Sequence, residues 1–396
     1  MKILFIGMPD SVHAARWIDM VSDQGWKLYF FPVYSEFPHY YFKNITVLDG
    51  LLLRRPKYLD KTVRLLGIWP LLTGSKTIAW IMNNINKRYP FRNKFLYYAI
   101  KIIKPDIIHS LEFQKAGYYT LYAKKRSKST FPKWIATNYG SDIFLFGRLS
   151  DHKEKIIAIL ENCDYYDCEC QRDVHLAKEL GLKGKILPVI PNGGGFDLDT
   201  IKRLQQQIPP SKRQLIVLKG YQGWAGRALV GLHAIELLVQ HLSSYRVAII
   251  NTSEDVKIAA ELLSKKTGIP IEVIPKISRE EILKIYGNAR IYIGLSIGDA
   301  ISTSLLEAMV MGAFPIQSNT SCAEEWIQND KCGFIVPPED PEIIAKKILI
   351  AIKDDILVDQ AGLINQDIIR RKLDQKIVKE KVTQIYRDIF FKSYME

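Results

Sequence analysis

The sequence predicts an α/β protein built from two doubly wound parallel sheets that face each other across a cleft. The first observation is length: 396 residues exceed the size at which one hydrophobic core stops growing, so two domains of roughly 200 residues are expected. The second is the alternation of short apolar runs with segments of helical periodicity, the pattern of a parallel sheet wrapped by helices. The third is a break at 191–214, PNGGGFDLDTIKRLQQQIPPSKRQ, after which the alternation starts again. Its three consecutive glycines and Pro-Pro pair interrupt any regular element.

In chain order, KILFIG, KPDIIHS, PKWIATN and KGKILPVI read as strands of the first half, with HAARWIDMVSDQG and HKEKIIAILENC as helices between them. After the break, QLIVLKG, YRVAIIN, PIEVIPK, ARIYIGLS, AFPIQS and GFIVP read as strands, separated by the helical stretches VGLHAIELLVQHL, SREEILKIYGNA and SLLEAMVMG. The expected division is 1–200, 201–375, and a terminal helix at 376–396 that packs back on the first domain. No period of 20–50 residues appears, which excludes a repeat array. Sheets of this kind bind ligands beyond the carboxyl ends of their strands, so the cleft is the expected site. The first turn, FIGMPDSVHAARW, has only Gly7 where a G-x-G-x-x-G fingerprint needs three glycines, which argues against a nicotinamide enzyme.

Composition narrows the class. Hydrophobic residues at 47% and charged residues at 24% are ordinary globular values. The start, MKILFIGMPD, runs straight into a strand and no stretch approaches 18 apolar residues, so a cytoplasmic protein is expected. The five cysteines, at 163, 168, 170, 322 and 332, lack paired metal-ligand spacing and read as reduced thiols. The net charge of +13 is uneven: residues 1–200 hold 29 Lys and Arg against 19 Asp and Glu, and residues 201–396 hold 26 against 23. Such an excess suits an anionic partner or a solvated face.

The chemistry concentrates at 296–348. A strand, ARIYIGLS, runs into a tight loop with Gly298 and Ala300, and a helix starts near Ser302. With Thr303 and Ser304, that start offers free N–H groups and hydroxyls, a ready anion site. The helix dipole supplies only about 0.3–1 kcal/mol to an exposed charge, so a diphosphate there also needs cations. Asp299 precedes the helix and Glu307 lies about one turn into it. Carboxylates beside phosphates read hydroxyls.

Asp299, seven residues, Glu307, then Ala308, Met309, Gly312, Pro315 and Ile316 resemble the motif of the retaining glycosyltransferases of family 4, of GT-B fold with two Rossmann-like domains. Glu325, Trp326, Ile327, Gly333 and Val336 resemble its continuation. The family's usual first acid is Glu and its usual loop G-F-G-L-P; here the loop is Asp-led and Ser-rich. The resemblance implies that Glu307 holds a nucleotide ribose and Asp299 contacts the donor sugar. It also implies a Lys and an Arg on the donor diphosphate, carried over to Lys219 and Arg227 in LKGYQGWAGRALVGL. Their order and spacing depart from the family's. Gly220, Gly223 and Gly226 fit a loop whose backbone approaches a ligand.

The first half is similar to the family more loosely, through KPDIIHSLEFQKAGYYTLYA and ATNYGSDIF. On this basis His109, at the cleft rim, and Asp142 join Asp299 and Glu307 as catalytic candidates, and His13 is placed on the acceptor side. A lone histidine is more often structural, and Asp142 suits a helix N-cap. The resemblance implies transfer from a nucleotide-diphosphate sugar to a hydroxyl acceptor with retention, without metal or other cofactor, in polysaccharide or glycolipid synthesis. Alternatives are a sugar-nucleotide epimerase or phosphorylase, and a non-catalytic sugar-nucleotide binding module. A nucleic-acid binder would suit the charge, but the basic region carries no such motif. Between Arg54 and Lys133 there are 18 cations against Asp60, Asp106 and Glu112. Within 54–104 they interleave with Trp69, Trp80, Tyr89, Phe91, Phe95, Tyr97 and Tyr98, which suggests peripheral docking of 54–133 on an anionic membrane that presents a lipid-linked acceptor.

Overall fold

The computed structural model describes residues 1–48, 55–66, 80, 84, 91–128 and 130–395. It divides into two compact units, Met1–Gly194 with Ile377–Glu396, and Gly195–Lys376. Trp69 and Tyr89 of the aromatic and cationic stretch lie outside the described residues, whereas Phe91, Phe95, Tyr97 and Tyr98 lie within them.

Unit 1 holds an eight-stranded sheet. In chain order the strands are β1 (Lys2–Gly7), β2 (Lys27–Pro32), β3 (Ile45–Val47), β4 (Arg64–Leu65), β5 (Ile107–Leu111), β6 (Lys133–Asn138), β7 (Tyr165–Cys168) and β8 (Lys185–Ile186). They pair in parallel in the order β4-β3-β2-β1-β5-β6-β7-β8. Ile3, Leu4, Phe5 and Ile6 are fully buried, as expected of a central strand covered on both faces. The sequence reading missed β2, β3, β4 and β7. β3 and β4 are too short to show a pattern, and β7 reads YYDC, where Asp167 interrupts the apolar run. KGKILPVI pairs only at Lys185–Ile186, and Pro188 has no N–H to extend the ladder.

Unit 2 holds β9 (Leu215–Lys219), β10 (Arg246–Ile250), β11 (Ile271–Val273), β12 (Ala289–Gly294), β13 (Phe314–Ser318) and β14 (Phe334–Val336). Their parallel order is β11-β10-β9-β12-β13-β14. β9, β12 and β13 are buried throughout. The strand order reverses between β1 and β5 in unit 1 and between β9 and β12 in unit 2, and each reversal opens a crevice at the carboxyl edge.

The last helix, Gln375–Met395, belongs from Ile377 onward to unit 1. There Trp17 Nε1–H donates to Tyr386 Oη at 2.8 Å, Lys379 pairs with Asp23, and Arg387 donates to Gln24 at 2.9 Å. All five cysteines are buried. Among the described residues no helix is long and apolar enough to cross a membrane.

Candidate functional site

The β9/β12 crevice of unit 2 gathers most of the sequence-singled residues. Lys219 ends β9 and is 6% exposed. Its ammonium donates to Asp299 Oδ2 at 3.0 Å, Ser302 Oγ at 3.1 Å and Ser296 Oγ at 3.3 Å, so its three protons meet three acceptors. Burial opposes the charge, but Asp299, with Tyr292 and Tyr221, outweighs it and holds the ammonium above the ordinary lysine value. Ser302 stands at the N-cap of the helix Thr303–Val310 without bonding its backbone, since its hydroxyl faces Lys219. The N–H groups of the first turn therefore lack that cap, beside a buried cation and the Thr303 and Ser304 hydroxyls.

Glu307, 6% exposed, accepts from Arg279 Nε at 3.0 Å. Arg279 was not singled out in the sequence, although a signal existed. It opens the helix Arg279–Asn288, where the dipole disfavours a cation, directly after the capping-box residue Ser278. Its guanidinium also lies 5.1 Å from the Phe196 ring centroid.

Arg227 is half-buried and engaged by its own loop, donating to Gly223 O at 2.5 Å, Gly226 O at 3.0 Å and Glu339 Oε1 at 2.5 Å. The loop is tied to the segment after β12 by Arg227 N–H to Leu295 O at 3.0 Å and Ile297 N–H to Ala225 O at 3.3 Å. At Gly220 a Cβ would lie 2.8 Å from Thr252 Cα and 3.0 Å from Ile250 O, so the protein's own backbone already requires the glycine.

In unit 1 the candidates separate. His109 is not at a rim: it sits mid-strand in β5, 1% exposed, with Nδ1 2.6 Å from Tyr386 Oη and Nε2 2.5 Å from Thr137 Oγ1. Burial pushes it down to about 3, so it is neutral. Asp142 is 2% exposed and accepts from the N–H groups of Phe113 and Tyr139, both at 2.9 Å. It thus ties the turn after β5 to the turn after β6, the capping role its position suits. Burial, reinforced by Glu112, holds its carboxyl well above the usual range. Glu112 itself, which the sequence reading passed over, has φ of 99° and accepts from Ala116 N–H at 2.6 Å. Burial lifts it to about 7. His13 is half-buried in the first turn of the helix Val12–Asp19, its ring centroid 6.2 Å from that of Tyr139. The fold thereby brings His13 beside the 139–142 turn and leaves His109 in the core.

Chemically, unit 2 offers a cationic, hydroxyl-rich helix start for an anion and two carboxylates for hydroxyl groups. Family comparison agrees with this chemistry. The family described as glycosyl transferases group 1 matches residues 201–366, and that described as glycosyl transferase 4-like matches residues 78–164. No curated protein matches the chain. Among solved structures, sucrose-phosphate synthase from Thermosynechococcus elongatus superposes with TM-score 0.71 at 14% identity, covering 98% of this chain and 99% of that one. Anabaena HepE in complex with UDP-glucose gives 0.67 at 14% identity, covering 98% and 100%. A glycosyltransferase from Rickettsia africae gives 0.63 at 18% identity, covering 98% of both. With a family match in each unit and a GT-B architecture throughout, the chain belongs to the group 1, family 4-like glycosyltransferases.

Proposed function

We propose that this enzyme transfers a sugar from a nucleotide-diphosphate sugar to a hydroxyl acceptor with retention, in the synthesis of a cell-surface polysaccharide or glycolipid. The observation that carries the reading is the buried Lys219 ammonium beside the Ser302 helix start, with Asp299 and Glu307 on either side. HepE, a structural neighbour, was crystallised with UDP-glucose, which supports a donor of that class.

In this reading Lys219, Arg227, the N–H groups of the helix start and the Ser302, Thr303 and Ser304 hydroxyls receive the diphosphate. Asp299 reads the sugar hydroxyls and Glu307 the ribose. The bond from sugar C1 to the phosphate oxygen breaks, and its electron pair leaves with the diphosphate. The acceptor oxygen bonds to C1, and its proton passes to the departing phosphate. Charge developing on the diphosphate is met by groups already in place, which is the dominant form of transition-state stabilisation. These cations supply the role a metal would fill, and no protein nucleophile is needed. His13 lies on the acceptor side. The acceptor is a glycan or lipid-linked glycan, reached by peripheral docking of the basic face within 54–133 on the cytoplasmic membrane surface.

The test is a screen of nucleotide sugars for thermal stabilisation, followed by product analysis with and without acceptor. Turnover without acceptor would indicate an epimerase, phosphate-dependent cleavage a phosphorylase, and binding without turnover a non-catalytic module. Loss of a charge-assisted contact costs about 1.5–3 kcal/mol. Arg227→Ala and Glu307→Ala should therefore each weaken donor binding at least about tenfold by calorimetry, with unchanged circular dichroism. Wild-type affinity in both would remove the assigned site.

A further inference from the structure

On the outer side of unit 1, at the amino ends of β5 and β6, a groove of about 380 Å³ is lined by Tyr97, Ile100, Lys101, Lys104, Thr130 and Phe131, among others. Its volume suits a small polar ligand. It lies between the C-terminal ends of the helices Arg92–Ile103 and Tyr118–Arg126. Two cations pack on the Tyr97 ring, with Lys101 Nζ 4.6 Å and the Arg126 guanidinium 5.6 Å from its centroid. Among the described residues, neither Lys101, Lys104 nor Arg126 forms an ion pair. The flanking acids are already engaged: Asp106 accepts from Lys2 N–H at 2.7 Å, and Asp164 pairs with Lys124 at 3.5 Å.

Beside the groove, the outer stripe of the first helix carries Lys94, Tyr98, Lys101 and Ile102, with Tyr98 53% and Ile102 75% exposed. Helix dipoles explain cations in the last turns. They do not explain an isoleucine and a tyrosine held in water among those cations. Apolar side chains interspersed with unpaired positive charge match the boundary between anionic headgroups and hydrocarbon.

We propose that this groove holds the phosphate headgroup of an anionic membrane lipid, with Lys101 and Lys104 on the phosphate, Arg126 adding charge beside it, and Tyr98 and Ile102 entering the interface. The inference rests on the membrane reading above and refines it by placing the contact at the amino edge of the sheet of unit 1.

The test is flotation of the full chain with phosphatidylglycerol–phosphatidylcholine vesicles and with phosphatidylcholine vesicles alone. Wild type should float only with the former. Lys101→Glu/Lys104→Glu should lower partitioning at least about tenfold. Lys257→Glu/Lys346→Glu, an equal charge change on exposed residues of unit 2, should retain it. Tyr98→Ser/Ile102→Ser should weaken binding most at high salt, where apolar contact dominates. Equal loss in both charge variants, or no loss in Lys101→Glu/Lys104→Glu, overturns the proposal. So does thermal stabilisation by soluble glycerophosphoglycerol without flotation. Nucleotide-sugar stabilisation, measured on the same variants, should persist in all of them. Its absence from wild type would sink the transferase reading while leaving the flotation result to judge the groove.

Discussion

His109 lies in a buried hydrogen-bonded chain. Its Nε2 is 2.5 Å from Thr137 Oγ1, which contacts Asp167 Oδ2 at 2.7 Å, and its Nδ1 is 2.6 Å from Tyr386 Oη. Burial drives the two titratable members in opposite directions, with His109 falling from 6.5 to about 3 and Asp167 rising from 3.8 to about 7. The depressed histidine contributes stability that is present above pH 6.5 and lost on acidification. The raised carboxyl contributes stability that is present below pH 3.8 and lost as pH rises towards 7. Between about pH 4 and 6.5 the two slopes, each about 1.4 kcal/mol per pH unit at most, oppose each other. His109→Gln should therefore leave stability falling as pH rises, and Asp167→Asn should leave it falling as pH drops. Urea denaturation across this range measures both, and parallel pH profiles in the two variants would disprove the wiring. None of this was legible locally, because a histidine in KPDIIHS shows its strand but not that Tyr386 and Thr137 will pack against its ring nitrogens. Asp299 and Glu307, by contrast, were legible, since their spacing about one helical start is fixed by the chain itself.

At the scale of elements, the terminal helix is held to unit 1 through Tyr386, whose hydroxyl accepts from Trp17 and hydrogen-bonds with His109 Nδ1. Tyr386→Phe leaves two buried polar atoms without partners, at about 1–3 kcal/mol each. The expected result is a clear fall in melting temperature by calorimetry, and an unchanged value would mean the helix is held by apolar packing alone. The loop after β9 makes a second case. Arg227 is engaged by Glu339, whose side chain is 60% exposed, so under the proposed function an arriving diphosphate would compete with that carboxylate. Exposed pairs contribute at most about 1 kcal/mol. Glu339→Gln should thus tighten nucleotide-sugar binding by no more than about fivefold, and weaker binding in a calorimetric titration would show that Glu339 assists instead.

At the scale of the molecule, the proposed function has Lys219, Arg227 and a helix start meet the diphosphate in place of a divalent cation. Transfer activity should persist in excess EDTA. Its loss, with recovery on Mn²⁺, would count against side-chain charge as the source of stabilisation. The sequence by itself determined the two doubly wound halves, because buried parallel strands are continuous apolar runs and their covering helices are amphipathic, both local patterns. It also determined the family motif from Asp299 to Ile316, whose residues lie within one loop–helix–strand unit. Only the tertiary structure decided that Lys219 is neutralised across the sheet by Asp299, 80 positions away, that Arg279 meets Glu307, and that His109 and Asp142 are structural ties. Those pairings arise where strand order reverses and distant segments converge, and a charge or a ring in isolation carries no record of what will be packed against it.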